Sequence, residues 1–341
     1  MTMQTFRSHS LEDKKILVLT VGCINYDHRI NHFEPIQKLF PRTIGYNYYQ
    51  RCQELGRRSM NQELLKLTQK EEPDYVFYLT YQNQVMLQTL EKLRAQGAIL
   101  IGWFSDDQWR FDSFSKNLAK YLDFPVTTCS KAYERYRNMG FAAIFCQWGS
   151  NPRYYKRLEE ARKLYDVTFV GGRHGGRSEF VETLRKEGIQ VCTFGRGWNE
   201  RISFEDMIRL FSVSKINLNF SSSSVDPNLK QIKGRVFEIP MCGGFLLTEY
   251  AEGLEEWFRI DAEITCFAEV EEAVEKIRHY LSHEEERTQI AESGYRRAVE
   301  CHSWDLRLME VFQIIQGNEE KALSVPRPGL MEQFANRVLQ R

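Results

Sequence analysis

The chain lacks the marks of a secreted, membrane-spanning or nucleic-acid-binding protein. Its eight cysteines are scattered and no two form a C-x-x-C pair. That spacing excludes a disulfide frame or a zinc site, and the cysteines read as buried thiols of a reducing compartment. The net charge is zero, from 46 basic and 46 acidic residues. Bulk attraction to nucleic acid or an acidic membrane is thereby excluded, while a local basic groove remains open. No run approaches the roughly 20 apolar residues of a membrane span. The opening MTMQTFRSHS holds no apolar core of a leader segment. Internal repeats and low-complexity segments are missing too. The expectation is a soluble, cytoplasmic protein without a transmembrane segment and without nucleic acid as a partner; oligomeric state is not legible.

What is present is a rhythm. The 341 residues, 42% of them hydrophobic, suffice for two domains with cores of their own. The apolar run Ile16–Val21 reads as a buried parallel strand. Further strands fit Tyr75–Thr80, Ala98–Phe104, Val126–Thr128 and Ala143–Cys146. Between them, helices fit Glu54–Lys70, Gln84–Ala95, Phe114–Tyr121 and Lys131–Met139. After Ser150-Asn151-Pro152 a polar, basic run intervenes. The rhythm restarts with strands at Asp166–Val170, Gln190–Phe194, Ile216–Phe220, Gly244–Thr248 and Glu263–Cys266. Helices fit Arg177–Glu187, Phe204–Ser212 and Lys233–Met241, with a kink expected at Pro240. Three more fit Val270–Ser282, Glu284–Val299 and Trp304–Gln316. The expected class is α/β: two Rossmann-like, doubly wound parallel-sheet domains facing across a cleft. The boundaries are residues 1–150, a linker 151–165, a second domain 166–316 and a tail 317–341. Ligands of such sheets bind at the carboxyl ends of the strands.

Lys230–Tyr250 is the most informative stretch. Lys230, Lys233 and Arg235 lead into a helix carrying one carboxylate, Glu238. Cys242-Gly243-Gly244 ends it, as glycine commonly does, and a buried strand follows. Cations, a lone Glu and a glycine turn together suit an anion. Asp166–Ser178 is a strand, a loop holding Gly171, Gly172, Gly175 and Gly176, and a helix start. Its glycines let backbone N–H groups approach an anion, with Arg173 and Arg177 as counter-charges. Gly171–Ser178 nearly fits a P-loop, but Arg177 replaces the lysine. Phe194-Gly195-Arg196-Gly197-Trp198 follows another strand and offers a shelf for a base. Asn219–Asn228 is a serine-rich loop suited to phosphate or sugar, or to a mobile lid.

The run R-V-F-E-I-P-M-C-G-G-F-L-L-T-E-Y-A-E-G-L-E-E-W-F, within about Asp166–Trp304, resembles the spore-maturation (CgeB-like) group of GT-B glycosyltransferases. The resemblance implies a GT-B fold with a nucleoside-diphosphate sugar (UDP-, GDP- or dTDP-linked) held by the second domain. It implies the glycine loop at the diphosphate, Trp198 near the base, Glu238 on the ribose and Glu249 at the donor sugar. It further implies that no metal or other cofactor is needed. Many retaining relatives carry a second Glu eight residues before the ribose Glu; here that position is Lys230.

In the first domain, G-W-F-S-D-D-Q-W-R-F ends a strand with Asp106 and Asp107 among aromatics, apt for a carbohydrate or other hydroxyl acceptor. Either Asp is a candidate general base, and His28, in Asn25-Tyr26-Asp27-His28-Arg29, is the rival. The reading is a metal-independent, hexosyltransferase-like enzyme using a carbohydrate, lipid-linked or protein acceptor. A nucleotide- or sugar-binding module without catalysis and a P-loop-like NTPase are the alternatives.

Overall fold

The computed structural model describes residues 11–21, 29–159, 162–198 and 202–319. The chain divides into two compact units, one running to Gln147 and resuming at Arg307, the other Trp148–Leu306.

The first unit is built on six parallel strands: β1 (Lys15–Thr20), β2 (Arg42–Asn47), β3 (Tyr75–Leu79), β4 (Ile99–Phe104), β5 (Phe124–Thr127) and β6 (Ile144–Phe145), in the order β2-β1-β3-β4-β5-β6. Parallel strands need crossovers. The crossovers are α1 (Glu34–Leu39), α2 (Tyr48–Leu55), α3 (Arg57–Glu71), α4 (Leu87–Ala95), α5 (Asp107–Arg110), α6 (Lys116–Ala119) and α7 (Ser130–Asn138). The apolar runs of β3 and β4 are buried at every residue, as a central parallel strand covered on both faces requires.

The second unit carries β7 (Tyr165–Val170), β8 (Val191–Phe194), β9 (Ser214–Asn219), β10 (Leu246–Glu249) and β11 (Thr265–Phe267). These are parallel too, in the order β11-β10-β9-β7-β8. Its helices are α8 (Arg177–Lys186), α9 (Phe204–Val213), α10 (Arg235–Met241), α11 (Val270–Ser282) and α12 (Glu284–Cys301). Val167, Phe169, Ile216, Leu218 and Leu247 form one core with Val181, Leu184 and Ile277.

The structure adds three features to the sequence reading. Arg42–Asn47 is a strand that hydrophobicity does not announce: it lies at the sheet edge, pairs only with β1 among the described residues and is largely accessible. Residues 151–159 and 162–165 belong to the second unit: Tyr155 is buried against Phe204, and the Leu164 N–H donates to the Val213 carbonyl at 2.7 Å. The final helix, α13 (Trp304–Gln316), returns the chain to the first unit, where Phe312 packs edge-on to Phe40 and Tyr75. No helix among the described residues is long and apolar enough to cross a membrane.

Candidate active site

In a doubly wound sheet the ligand crevice lies where successive connections leave toward opposite faces. In the second unit that point is between β7 and β9, with β8 on one side of β7 and β10 beyond β9. The glycine loop leaves β7 there and the serine-rich loop leaves β9.

The glycine loop is zipped to the turn after β8. The Gly171 N–H donates to Phe194 O at 2.9 Å and the Arg173 N–H to Arg196 O at 2.8 Å. Gly195 has φ +118°, and a Cβ there would stand 2.5 Å from the Gly171 carbonyl oxygen, so only glycine fits. Among the described residues the Gly175 and Gly176 N–H groups donate to no backbone carbonyl, which leaves them for an anion. Arg173 is exposed, donates to Ser178 Oγ at 2.7 Å and lies 5.3 Å from the centre of the Trp198 ring. Trp198 packs its edge against Phe169, half-buried, so it is a core residue with one accessible side rather than a free shelf.

Arg177 is not an exposed counter-charge. Only 7% of it is accessible. Its Nη1 donates to Gly172 O at 2.9 Å, and its Nη2 reaches the carbonyls of Phe220 and Ser222, both at 3.5 Å. Burial brings its pKa down to about 10, with Glu249 opposing. The guanidinium fastens the loop after β7 to the loop after β9. That use removes the side chain a P-loop would need at the phosphates.

The serine-rich loop is organised by Glu249, at the carboxyl end of β10. The Ser221 and Ser222 N–H groups donate to its carboxylate at 2.8 and 3.0 Å, and the Lys230 ammonium pairs with its other oxygen. Glu249 is buried and occupied. Its expected contact with a sugar gives way to holding the loop in place. The loop is closed further by Ser223 Oγ, which accepts from the Asp226 N–H at 3.0 Å, so a mobile lid is not what this geometry describes.

Arg235 and Glu238 stand on the first turn of α10, and Arg235 Nη1 donates to the Glu238 carboxylate. Glu238 is 5% accessible and Arg235 half-buried. On the glycine loop His174, unremarked in the sequence, is held down to about 4, first by burial and then by Arg177 and Lys233. The charge of Lys233 is thus felt on the glycine loop. A histidine between an arginine and two glycines was the only available signal for it.

Gly243 and Gly244 do not belong to this rim. They precede β10, at its amino end, five or more residues and roughly 16 Å of strand from Glu249. Gly243, at φ +70°, closes α10. Gly244 is squeezed so that a Cβ would lie 2.6 Å from the Phe211 carbonyl oxygen. Both are packing glycines.

In the first unit Asp107, the first residue of α5, is buried, and Tyr136 donates to its Oδ2 at 3.1 Å. Burial raises its pKa to about 6, and the polar neighbours Ser115, Thr127 and Tyr136 counter the rise. A carboxyl enclosed in this way does not reach an acceptor, and it is withdrawn as a candidate base. Asp106, at the helix start, is half-accessible and makes no capping bond. His28 lies outside the described residues. Beyond the carboxyl end of β3, a cavity of about 260 Å³ is lined by Arg57, Gln82, Asn83 and Asn117 with Tyr78 and Phe114. Amides beside aromatic faces suit a polyhydroxylated ligand.

Comparison with known proteins agrees with this architecture. Residues 173–313 match the family model described as glycosyl transferase-like. Anabaena HepE, in complex with UDP and glucose, superposes with a TM-score of 0.67 at 12% identity, over 89% of this chain and 100% of that one. A glycosyltransferase from Rickettsia africae gives 0.63 at 11%, over 92% and 100%. Sucrose-phosphate synthase from Thermosynechococcus elongatus gives 0.58 at 10%, over 77% and 79%. No curated protein matches the chain by sequence. The fold is therefore that of the GT-B glycosyltransferases. The second unit, with the start of α13, carries a glycosyl transferase-like domain.

Proposed function

We propose that this protein transfers a sugar from a nucleoside-diphosphate sugar to an acceptor hydroxyl, as a member of the CgeB-like group. One observation carries the reading. The glycine loop after β7, at the topological switch point, carries exposed Arg173 and also His174, on which Lys233 acts, and on the first turn of α10 Arg235 pairs with Glu238. Glycosyl transfer breaks the bond between the anomeric carbon and the diphosphate oxygen, and the electron pair leaves with the diphosphate. The acceptor oxygen bonds to that carbon and its proton passes to a base. Fixed cations where the leaving charge develops stabilise the transition state more than the ground state. In this proposal Arg235 and Lys233 face the diphosphate without a metal. The Gly171–Gly176 loop cradles it, Glu238 takes the ribose hydroxyls and Trp198 borders the base. Uridine is the first base to test, because HepE holds UDP and UDP-glucose on the same fold. Asp106 is the proposed base. The cavity beside Tyr78 and Phe114 is the proposed acceptor pocket, for a carbohydrate or a carbohydrate-bearing lipid or protein.

A non-catalytic nucleotide-binding module has one observation in its favour. Lys230 stands where retaining relatives carry a Glu, and it is paired with Glu249. Calorimetry with UDP, GDP, dTDP, ADP and CDP in a chelator tests the shared part of both readings: one nucleotide should bind saturably. An absolute need for added Mg²⁺ or Mn²⁺ contradicts it.

A further inference from the structure

The opposite end of the second sheet, where the strands begin, holds a cavity of about 190 Å³ that the donor site does not use. Its wall contains Arg157, Lys163, Lys215 and Arg287 against a single carboxylate, Glu292. The cations come from three places: the segment before β7, the start of β9 and the first turns of α12. Each is fixed. Lys163 Nζ donates to Ser212 O at 2.7 Å. Arg287, 3% accessible, donates to Tyr280 O. Arg157 pairs with Glu292, and Lys215 with Asp166 at 2.6 Å. Burial, then the charges of Arg287 and Arg157, depress the Lys163 ammonium, which places the three cations within one another's field. Holding like charges together around a cavity costs free energy, and an anion in the cavity relieves that cost.

We propose that this pocket binds a small phosphate monoester. Two planar guanidinium forks and two ammonium groups offer donors in several directions. A tetrahedral dianion with three free oxygens can engage them, whereas a carboxylate has two oxygens and one charge. The wall includes Cys242 and Gly243, the turn that closes α10. A Cβ on Gly243 would stand 2.8 Å from Arg157 Cδ, so the Arg157 stem lies directly on that turn. An anion that draws on Arg157 therefore bears on the helix whose other end carries Arg235 and Glu238. The binding claim stands whether or not the donor reading does.

The test uses the full chain with inorganic phosphate and glycerol 3-phosphate, by calorimetry and ³¹P line broadening. It compares wild type, Arg235→Ala and Lys163→Ala/Lys215→Ala; both lysines are partly accessible, and thermal melts verify the fold. Saturable binding that survives Arg235→Ala and weakens about tenfold or more in the double variant is expected. Vesicles containing phosphatidic acid separate a lipid headgroup from a free ester as the source: vesicle binding alone, lost in the double variant, keeps the phosphate chemistry and assigns it to a lipid. Failure of both soluble and vesicle probes to bind overturns the proposal. So does soluble binding that Arg235→Ala abolishes and the lysine variant leaves intact.

Discussion

Arg235 and Glu238 hold each other: a guanidinium N–H of one donates to the carboxylate of the other, a single helical turn away. The pair holds a buried carboxylate in a fixed place, and in the proposed reading one helix presents it to hydroxyls beside a cation for phosphate. Glu238→Ala should weaken UDP binding roughly 10- to 100-fold, the worth of one or two charge-assisted hydrogen bonds. Calorimetry beside a thermal melt checks this. Unchanged affinity in a folded variant would make the Glu238 carboxylate a helix brace only.

Arg177→Ala should fail differently. Removing the guanidinium strips a donor from the carbonyls of Gly172, Phe220 and Ser222. A loss of about 3 kcal/mol in urea unfolding is expected, and Arg177→Lys should not restore it, because a point charge cannot replace the fork. A variant as stable as wild type but blind to nucleotide would return Arg177 to the phosphates.

His174 reports on the rim. Burial and the neighbouring cations hold its folded pKa near 4, below the usual 6.5. It is therefore neutral at pH 7, and its contribution to stability is lost as pH falls from 6.5 toward 4. A bound diphosphate adds negative charge nearby and should raise that pKa. NMR titration of the ring, with and without UDP, checks this. An ordinary midpoint near 6.5 that UDP does not move would separate the glycine loop from the diphosphate.

Asp107 gives a stability signature in the first unit. Its folded pKa stands above its unfolded value, at about 6 against 3.8. The folded state therefore binds more protons between those values. Stability from this group is full below pH 3.8, falls as pH rises and stays reduced above pH 6. Asp107→Asn keeps an acceptor for Tyr136 and removes the charge. It should gain about 1–2 kcal/mol at pH 8 and almost nothing near pH 4 in urea unfolding. Parallel pH profiles for the two proteins would contradict the assignment.

Much of the fold was legible because buried parallel strands are short apolar runs and amphipathic helices repeat on their own period. Val270–Ser282 and Trp304–Gln316 are bounded as expected. Arg42–Asn47 was hidden because an edge strand need not be apolar. The return of α13 to the first unit was hidden because it rests on Phe40 and Tyr75, far away in the chain. In the site, glycines and charges announced themselves by type. Whether a charge faces outward depends on remote partners. Arg177 was drawn inward by carbonyls 43 and 45 residues on, and Glu249 by amides 28 and 27 residues back. Gly243 and Gly244 were misplaced because a turn before a strand and a turn after it read alike.

The central claim is transfer chemistry at the rim of Arg235 and Lys233. Steady-state release of UDP from UDP-sugars, in a chelator, tests it most directly. Wild type should turn over at least one donor, if only by slow hydrolysis. Arg235→Ala should lower kcat more than it raises KM for the donor, the mark of an interaction made mainly in the transition state. Binding without any turnover of uridine, guanosine or thymidine sugar nucleotides, or an unchanged kcat in both Arg235→Ala and Lys233→Ala, would contradict the account.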